Sequence, residues 1–243
     1  MNHLDPSASQ QSESRILPSH LKQPEDLLFV ELFAGSKTVA RAFRDQGWRT
    51  LTIDNNPDLE PDICCDIRDV TPEMLEGATV IWASPPCTVF SVAGFGRGHF
   101  KDYKPQTVDA EEAIQIIKHT LALIEEVNPV YWFMENPRGL LRKMDFMAKY
   151  PRDTVTYCMY GHDRMKPTDI FGRFPRGWKG KNCFHFKDNC PNHVKAPRGS
   201  RTGIQGMGSA YLKAIVPYAL GAEIAARSFV DMPYVRATLV EWL

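Results

Sequence analysis

The stretch Ala83-Ser84-Pro85-Pro86-Cys87-Thr88-Val89-Phe90-Ser91 constrains this chain more than any other. It follows a short apolar run, Thr79-Val80-Ile81-Trp82, that reads as a buried parallel strand bounded by a turn. Two consecutive prolines fix the backbone and remove two N–H donors where that strand ends. Cys87 is thereby held on a rigid turn at a strand's carboxyl end, the usual place for chemistry in open α/β sheets. A lone cysteine after a strand is more often a small core residue than a nucleophile. A second stretch shifts the balance. Tyr131-Trp132-Phe133-Met134-Glu135-Asn136-Pro137 is another apolar strand ending in polar residues and a proline, which should put Glu135 on the same rim as Cys87. A thiol and a carboxyl at neighbouring strand ends suit attack on a heteroaromatic ring.

Ser-Pro-Pro-Cys-x-x-Phe-Ser followed by Glu-Asn-Pro resembles the paired signature of the DNA (cytosine-5) methyltransferases, in a compact phage or bacterial form. The amino-methyltransferases of DNA carry a related strand end, Ser/Asp/Asn-Pro-Pro and an aromatic residue, with the aromatic stacked on the base while an exocyclic amine attacks. Carbon 5 of cytosine is too weak a nucleophile for that route and needs a thiolate, so a cysteine at position 87 separates the two classes. The resemblance implies an α/β fold of the Rossmann-like, S-adenosylmethionine-dependent methyltransferase type with a small recognition lobe. It also implies a covalent Cys87 adduct on a flipped cytosine, with Glu135 on the N3 edge of the ring. Two alternatives stay open: the same chemistry on transfer RNA, and a non-catalytic DNA-binding homologue.

Leu27 to Phe33 reads as a continuous apolar strand, Ala34-Gly35 as a turn, and Ser36 to Gln46 as a helix stopped by Gly47. This unit resembles the family's first cofactor motif, Asp-Leu-Phe-Ala-Gly-x-Gly-Gly. Glu31 stands for the usual Asp, and Ser36-Lys37-Thr38 for the residues containing the glycine pair. Arg49 to Ile53 is a second strand ending in Asp54-Asn55, where an acidic side chain typically accepts both ribose hydroxyls. The resemblance gives that role to Asp54, the adenine amine to Asp66 beside Ile67, and adenine packing to Phe33. Ala34, Gly35, Asn55 and Pro86 complete the expected cofactor set. Asp54 and Asp66 are also candidates for simple helix caps.

Net charge is zero, yet residues 164–201 hold ten Lys/Arg against two Asp/Glu, a local net of plus eight. A basic face on a neutral chain points to nucleic-acid backbone. The loop after Cys87 carries glycines at 94, 96 and 98, and by resemblance it closes over duplex DNA with Ser91 and Arg97 as contacts and His99 and Lys101 nearby. Thr154 to Tyr160 reads as a strand leading to Arg164-x-Lys166-x-Thr168, where the family has Gln-x-Arg-x-Arg. Arg164 is the further DNA contact and Lys166 the surviving cation at the target base. Residues 107–127 keep helical spacing in Ala110, Ile114, Ile117, Leu121 and Ile124, which marks core.

Residues 1–25 read as a flexible arm, 26–170 as the catalytic and cofactor-binding core, 171–208 as a small basic recognition lobe, and 209–243 as a segment packing back on the core. In that last segment Ile215-Val216-Pro217 resembles the family's C-terminal cofactor motif. Cys183-x-His185-x4-Cys190-x2-His193 offers structural zinc ligands to the lobe, although Cys183-x-His185 is so tight that one ligand could come from elsewhere. Six scattered cysteines fit a reducing compartment. The chain has no membrane-length apolar run and no basic-then-apolar leader, so it is expected in the cytoplasm of a bacterial or phage-infected cell, as a monomer.

Overall fold

Apolar runs without polar alternation need cover on both faces, and this chain supplies it. The computed structural model describes residues 23–183, 190–194, 203–204 and 208–240. Residues 1–22 of the expected arm, His185 and residues 195–202 lie outside the described residues. The strands are β1 (Leu28–Leu32), β2 (Arg49–Asp54), β3 (Ile63–Cys64), β4 (Ala78–Ala83), a small hairpin of β5 (Phe100–Lys101) and β6 (Lys104–Pro105), then β7 (Tyr131–Pro137), β8 (Arg152–Thr156) and β9 (Pro167–Arg173). Seven of them form one sheet in the order β3-β2-β1-β4-β7-β9-β8. The first five in that order run parallel, and β9 lies antiparallel to both β7 and β8.

Neighbouring residues of the central strands serve opposite faces. Val30, Leu32, Ile81, Ala83, Trp132 and Met134 join one apolar cluster. Phe29, Val80, Trp82, Tyr131 and Phe133 join the other. Helix α2 (Val108–Val127) covers the first face with Ile117, Leu121 and Ile124, and Thr107 caps its start through a bond from the Ala110 N–H. Helices α1 (Thr38–Arg44) and α4 (Tyr218–Val240) cover the second, with Val39, Phe43, Leu220 and Ile224 inside it. Short α3 (Ala210–Ala214) precedes α4, and the Ile215-Val216-Pro217 link lies between them. The α1–α4 contact is close: a β-carbon at Gly221 would come within 3.1 Å of the Ala42 side chain.

This is a doubly wound α/β sheet. Strand order reverses between β1 and β4, so the crevice of the sheet opens at their carboxyl ends. The expected strand over 154–160 is shorter than its apolar run. β8 stops at Thr156, and Tyr157–Tyr160 forms a 3-10 turn closed by Gly161 at φ 86°. The Tyr157 N–H is taken by the Met165 carbonyl, which swings that turn back under the sheet edge.

Candidate active site

Cys87 sits where the sequence places it, just past β4. The Ser84 N–H bonds the Leu32 carbonyl and the Trp82 indole N–H bonds the Ser84 hydroxyl, at 3.2 and 2.8 Å, so the strand end is pinned before the two prolines begin. The amides of Phe90 and Ser91 both donate to the Cys87 carbonyl, which curls the chain beyond the thiol. The segment after β7 seats this turn: the Leu140 N–H donates to the Phe90 carbonyl at 2.7 Å. A β-carbon at Gly139 would lie 2.2 Å from that carbonyl oxygen, so only glycine allows the approach.

Glu135 and Lys166 are brought to the same rim, and both are buried. Tyr157 donates its O–H to Glu135 Oε1 at 2.8 Å. The Lys166 ammonium lies 4.3 Å from the centre of the Tyr157 ring and donates to the Lys213 carbonyl at 2.8 Å. Lys166 holds a left-handed backbone, φ 33°. The three groups act on one another. Burial pushes the half-buried Cys87 thiol up to about 11, with the Glu135 carboxyl adding to the rise and the Lys166 ammonium opposing it. Burial also raises Glu135, against Lys166 and the Tyr157 hydroxyl. It lowers Lys166, which Glu135 and Cys87 in turn support as a cation.

A cleft of about 230 Å³ opens beside this triad, lined by Phe33, Asp54, Asn55, Asp66, Ile67 and Pro86 among others. Six of the eight expected cofactor residues therefore share one cavity. Gly35 reaches it through its N–H, which donates to Asp54 Oδ2 at 2.9 Å, while Asn56 N–H holds Oδ1 at 2.9 Å. The Ala34 N–H instead bonds the Ile53 carbonyl. Asp66 caps the following turn and is gripped by Arg68, whose bonds hold its carboxyl down at about 2.

Glu31 does not face this cleft. It is buried, and it accepts the Ala40 N–H at 2.7 Å, so it satisfies the start of α1. Burial pushes it up to about 8. Lys37 keeps the left-handed backbone, φ 53°, that a glycine would hold there, and its ammonium donates to the Glu60 carbonyl at 2.8 Å.

Of the expected nucleic-acid contacts, Arg97 is exposed beside a second cavity of about 460 Å³ that shares Pro86 and Ile116 with the cleft. The Ser91 hydroxyl donates to the Thr88 carbonyl. Arg164 is turned to the protein: its guanidinium reaches the Val194 carbonyl at 3.3 Å and Asp163 at 3.8 Å. Of the expected zinc set, Cys183, Cys190 and His193 come together and His185 lies outside the described residues. Cys158 supplies the fourth group, and the ligand atoms of the four lie within 4.8 Å of one another.

Tyr157, the Lys213 carbonyl and Cys158 are the parts that sequence reasoning missed. Tyr157 and Cys158 sit in an apolar run that reads as plain strand, and a backbone carbonyl carries no sequence signal. The Asn136 amide is fully buried, and neither of its polar atoms has a partner among the described residues.

A mostly parallel sheet with a cofactor-sized cleft at the ends of β1, β2 and β4, and an acid ending β2, is a Rossmann-like arrangement suited to a nucleoside cofactor. The profile of the C-5 cytosine-specific DNA methylases matches residues 27–148, half of the chain, and the chain belongs to that family. It is 27% identical over 187 residues to a protein of Frog virus 3 named "Probable DNA (cytosine-5)-methyltransferase", covering 71% of this chain and 81% of that one. Among solved structures it is similar to Spodoptera frugiperda DNMT2, with 16% identity, TM-score 0.42, and 65% and 55% of the two chains covered. A similar match is the Entamoeba histolytica methyltransferase EhMeth, with 12% identity, TM-score 0.45, and 65% and 57% covered. The chain spans about half the length of the solved structures it matches. Among the described residues no helix is long and apolar enough to cross a membrane.

Proposed function

We propose that this protein methylates carbon 5 of cytosine in duplex DNA, with Cys87 as the nucleophile. The observation that carries the reading is the Cys87–Glu135–Lys166 set at the strand ends, beside a cleft with the acids a nucleoside cofactor needs. C5 and C6 are out of reach inside a stacked duplex, so the target base must swing out to this rim. The Cys87 thiol gives its proton to solvent, its thiolate adds to C6, and the ring's electron density moves to C5. Burial raises the Glu135 carboxyl and so favours its protonated form, the form that presents a proton to N3 and stabilises the adduct. Tyr157 fixes that carboxyl through Oε1, and Lys166 favours the thiolate. Once C5 carries its methyl group, loss of the C5 proton to solvent base and expulsion of Cys87 as thiolate restore the enzyme.

S-adenosylmethionine, when bound, supplies an electrophilic methyl group. The cleft fits it by chemistry: Asp54 would take the ribose hydroxyls, Asp66 the adenine amine, and Phe33, Ile67 and Pro86 the flat apolar faces. Gly35 leaves room for close backbone approach. Arg97 on the exposed loop suits phosphate contact.

The test is methyl transfer to unmethylated duplex with mass analysis of the released nucleosides. The wild type should yield 5-methylcytosine and should be trapped covalently by DNA containing 5-fluorocytosine, since fluorine cannot leave as a proton does. Cys87→Ala should bind cofactor but neither methylate nor trap. Methylation by Cys87→Ala, or activity on transfer RNA with none on duplex DNA, would refute the proposal.

A further inference from the structure

We propose that Cys158, Cys183, Cys190 and His193 bind one zinc ion, and that the ion fastens the basic segment to the back of the catalytic rim. The four groups come from three separate stretches of chain. Cys158 is in the turn after β8, Cys183 follows the Lys181-Asn182 crossing of the β8 edge, and Cys190 and His193 belong to a short loop. Their ligand atoms lie within 4.8 Å of one another, and Cys183 Sγ is 3.9 Å from His193 Nδ1. A tetrahedral site with Zn–S near 2.3 Å and Zn–N near 2.0 Å has edges of about 3.5–3.8 Å, so the cluster needs to close by only about 1 Å at its widest.

Buried cysteines are often just small apolar residues. This cluster is not built like one. Cys158, Cys183 and Cys190 are 1%, 3% and 9% exposed, and the single apolar residue grouped with them is Met165. None of the three is in a disulfide. The Asn192 N–H points at Cys190 Sγ at 3.4 Å, a donor of the kind that supports a thiolate ligand. The segment around them has few core apolars, and a bound metal supplies the folding energy that so small a unit lacks.

Placement gives the ion a consequence. Cys158 directly follows Tyr157, which holds Glu135, and Met165 directly precedes Lys166. The Cys183 N–H bonds Thr156 Oγ1 at 2.6 Å, and the Val194 N–H bonds the Asp163 carbonyl at 2.9 Å. One metal therefore ties residues 181–183 and 190–194 to the turns that carry Tyr157 and Lys166, as a positioning element with no part in the bond changes.

The experiment is metal analysis and zinc-edge X-ray absorption on full-length protein purified without a histidine tag. One equivalent of zinc is expected, with three sulfurs near 2.3 Å and one nitrogen near 2.0 Å (about these values). Cys158→Ser should lose zinc to a competing chelator at least about tenfold more readily than wild type, and His185→Ala should hold it equally well. A shell of two sulfurs and two nitrogens, which would put His185 in place of Cys158, overturns the assignment. So does less than about a tenth of an equivalent of zinc, an iron-loaded protein, a Cys183–Cys190 disulfide, or unchanged zinc retention in Cys158→Ser. These readouts do not involve methyl transfer, so their failure leaves the proposed reaction untouched.

Discussion

Replacing Tyr157 by Phe tests how the Glu135 carboxyl is held. Tyr157 is fully buried and its only change is loss of the O–H that meets Glu135 Oε1 at 2.8 Å. Phe keeps the ring volume and the ring face under the Lys166 ammonium, so packing and the cation–π contact persist. A hydrogen bond to a charged or charge-developing group is worth about 1.5–3 kcal/mol, and a buried acceptor left unmatched carries its full desolvation cost. At about 1.4 kcal/mol per factor of ten, the chemical step should slow about ten- to a hundredfold. Tyr157 does not line the cofactor cleft, so cofactor affinity should hold. Single-turnover methyl transfer, with enzyme in excess over DNA, isolates the chemical step, and calorimetry gives cofactor affinity. A single-turnover rate within about threefold of wild type would refute the idea that this bond orients Glu135 for reaction.

Three further outcomes follow from the same geometry. Glu31, raised by burial from 4.5 to about 8, holds a proton in the folded state that the unfolded chain releases, so its own contribution to stability is greatest below pH 4.5 and is lost as pH rises through about 8. By pH 7 that loss is about 3 kcal/mol, and Glu31→Gln should remove this part of the slope in denaturant unfolding; parallel wild-type and variant curves would dismiss it. Lys37→Gly should hold or raise the melting temperature, because it relieves a left-handed backbone worth about 1 kcal/mol and gives up only an exposed bond to Glu60; a drop of more than about 1 kcal/mol in stability would contradict that. Peptide-resolved alkylation of Cys87 by iodoacetamide in the free enzyme should quicken about tenfold per pH unit from 7 to 9, as expected for a thiol at about 11; a plateau below pH 9 would show a thiolate already formed.

The sequence by itself determined the elements and the two strand ends that matter. Val80-Ile81-Trp82 and Trp132-Phe133-Met134 are continuous apolar runs because both faces of their strands are covered, and that demand is local enough to read. Pro85-Pro86 marks the end of β4 and stiffens the turn that carries Cys87 by the covalent geometry of proline. Asp54 ends β2 as the strand pattern requires. Tertiary structure decided the rest, since it depends on which distant segments the sheet order brings together. Insertion of β9 between β7 and β8 sets Ile170 opposite Glu135 and delivers Lys166 to the rim. The early end of β8 turns Tyr157 toward Glu135 and Cys158 toward Cys183 and Cys190, although both belong to a run that looks like strand. Arg164 and Lys166 are two residues apart and both basic in sequence, yet one faces Val194 and the other is buried against Tyr157. Periodicity records which side of an element is covered, whereas the partner that covers it is fixed only when non-local strands pair and the loops between them close.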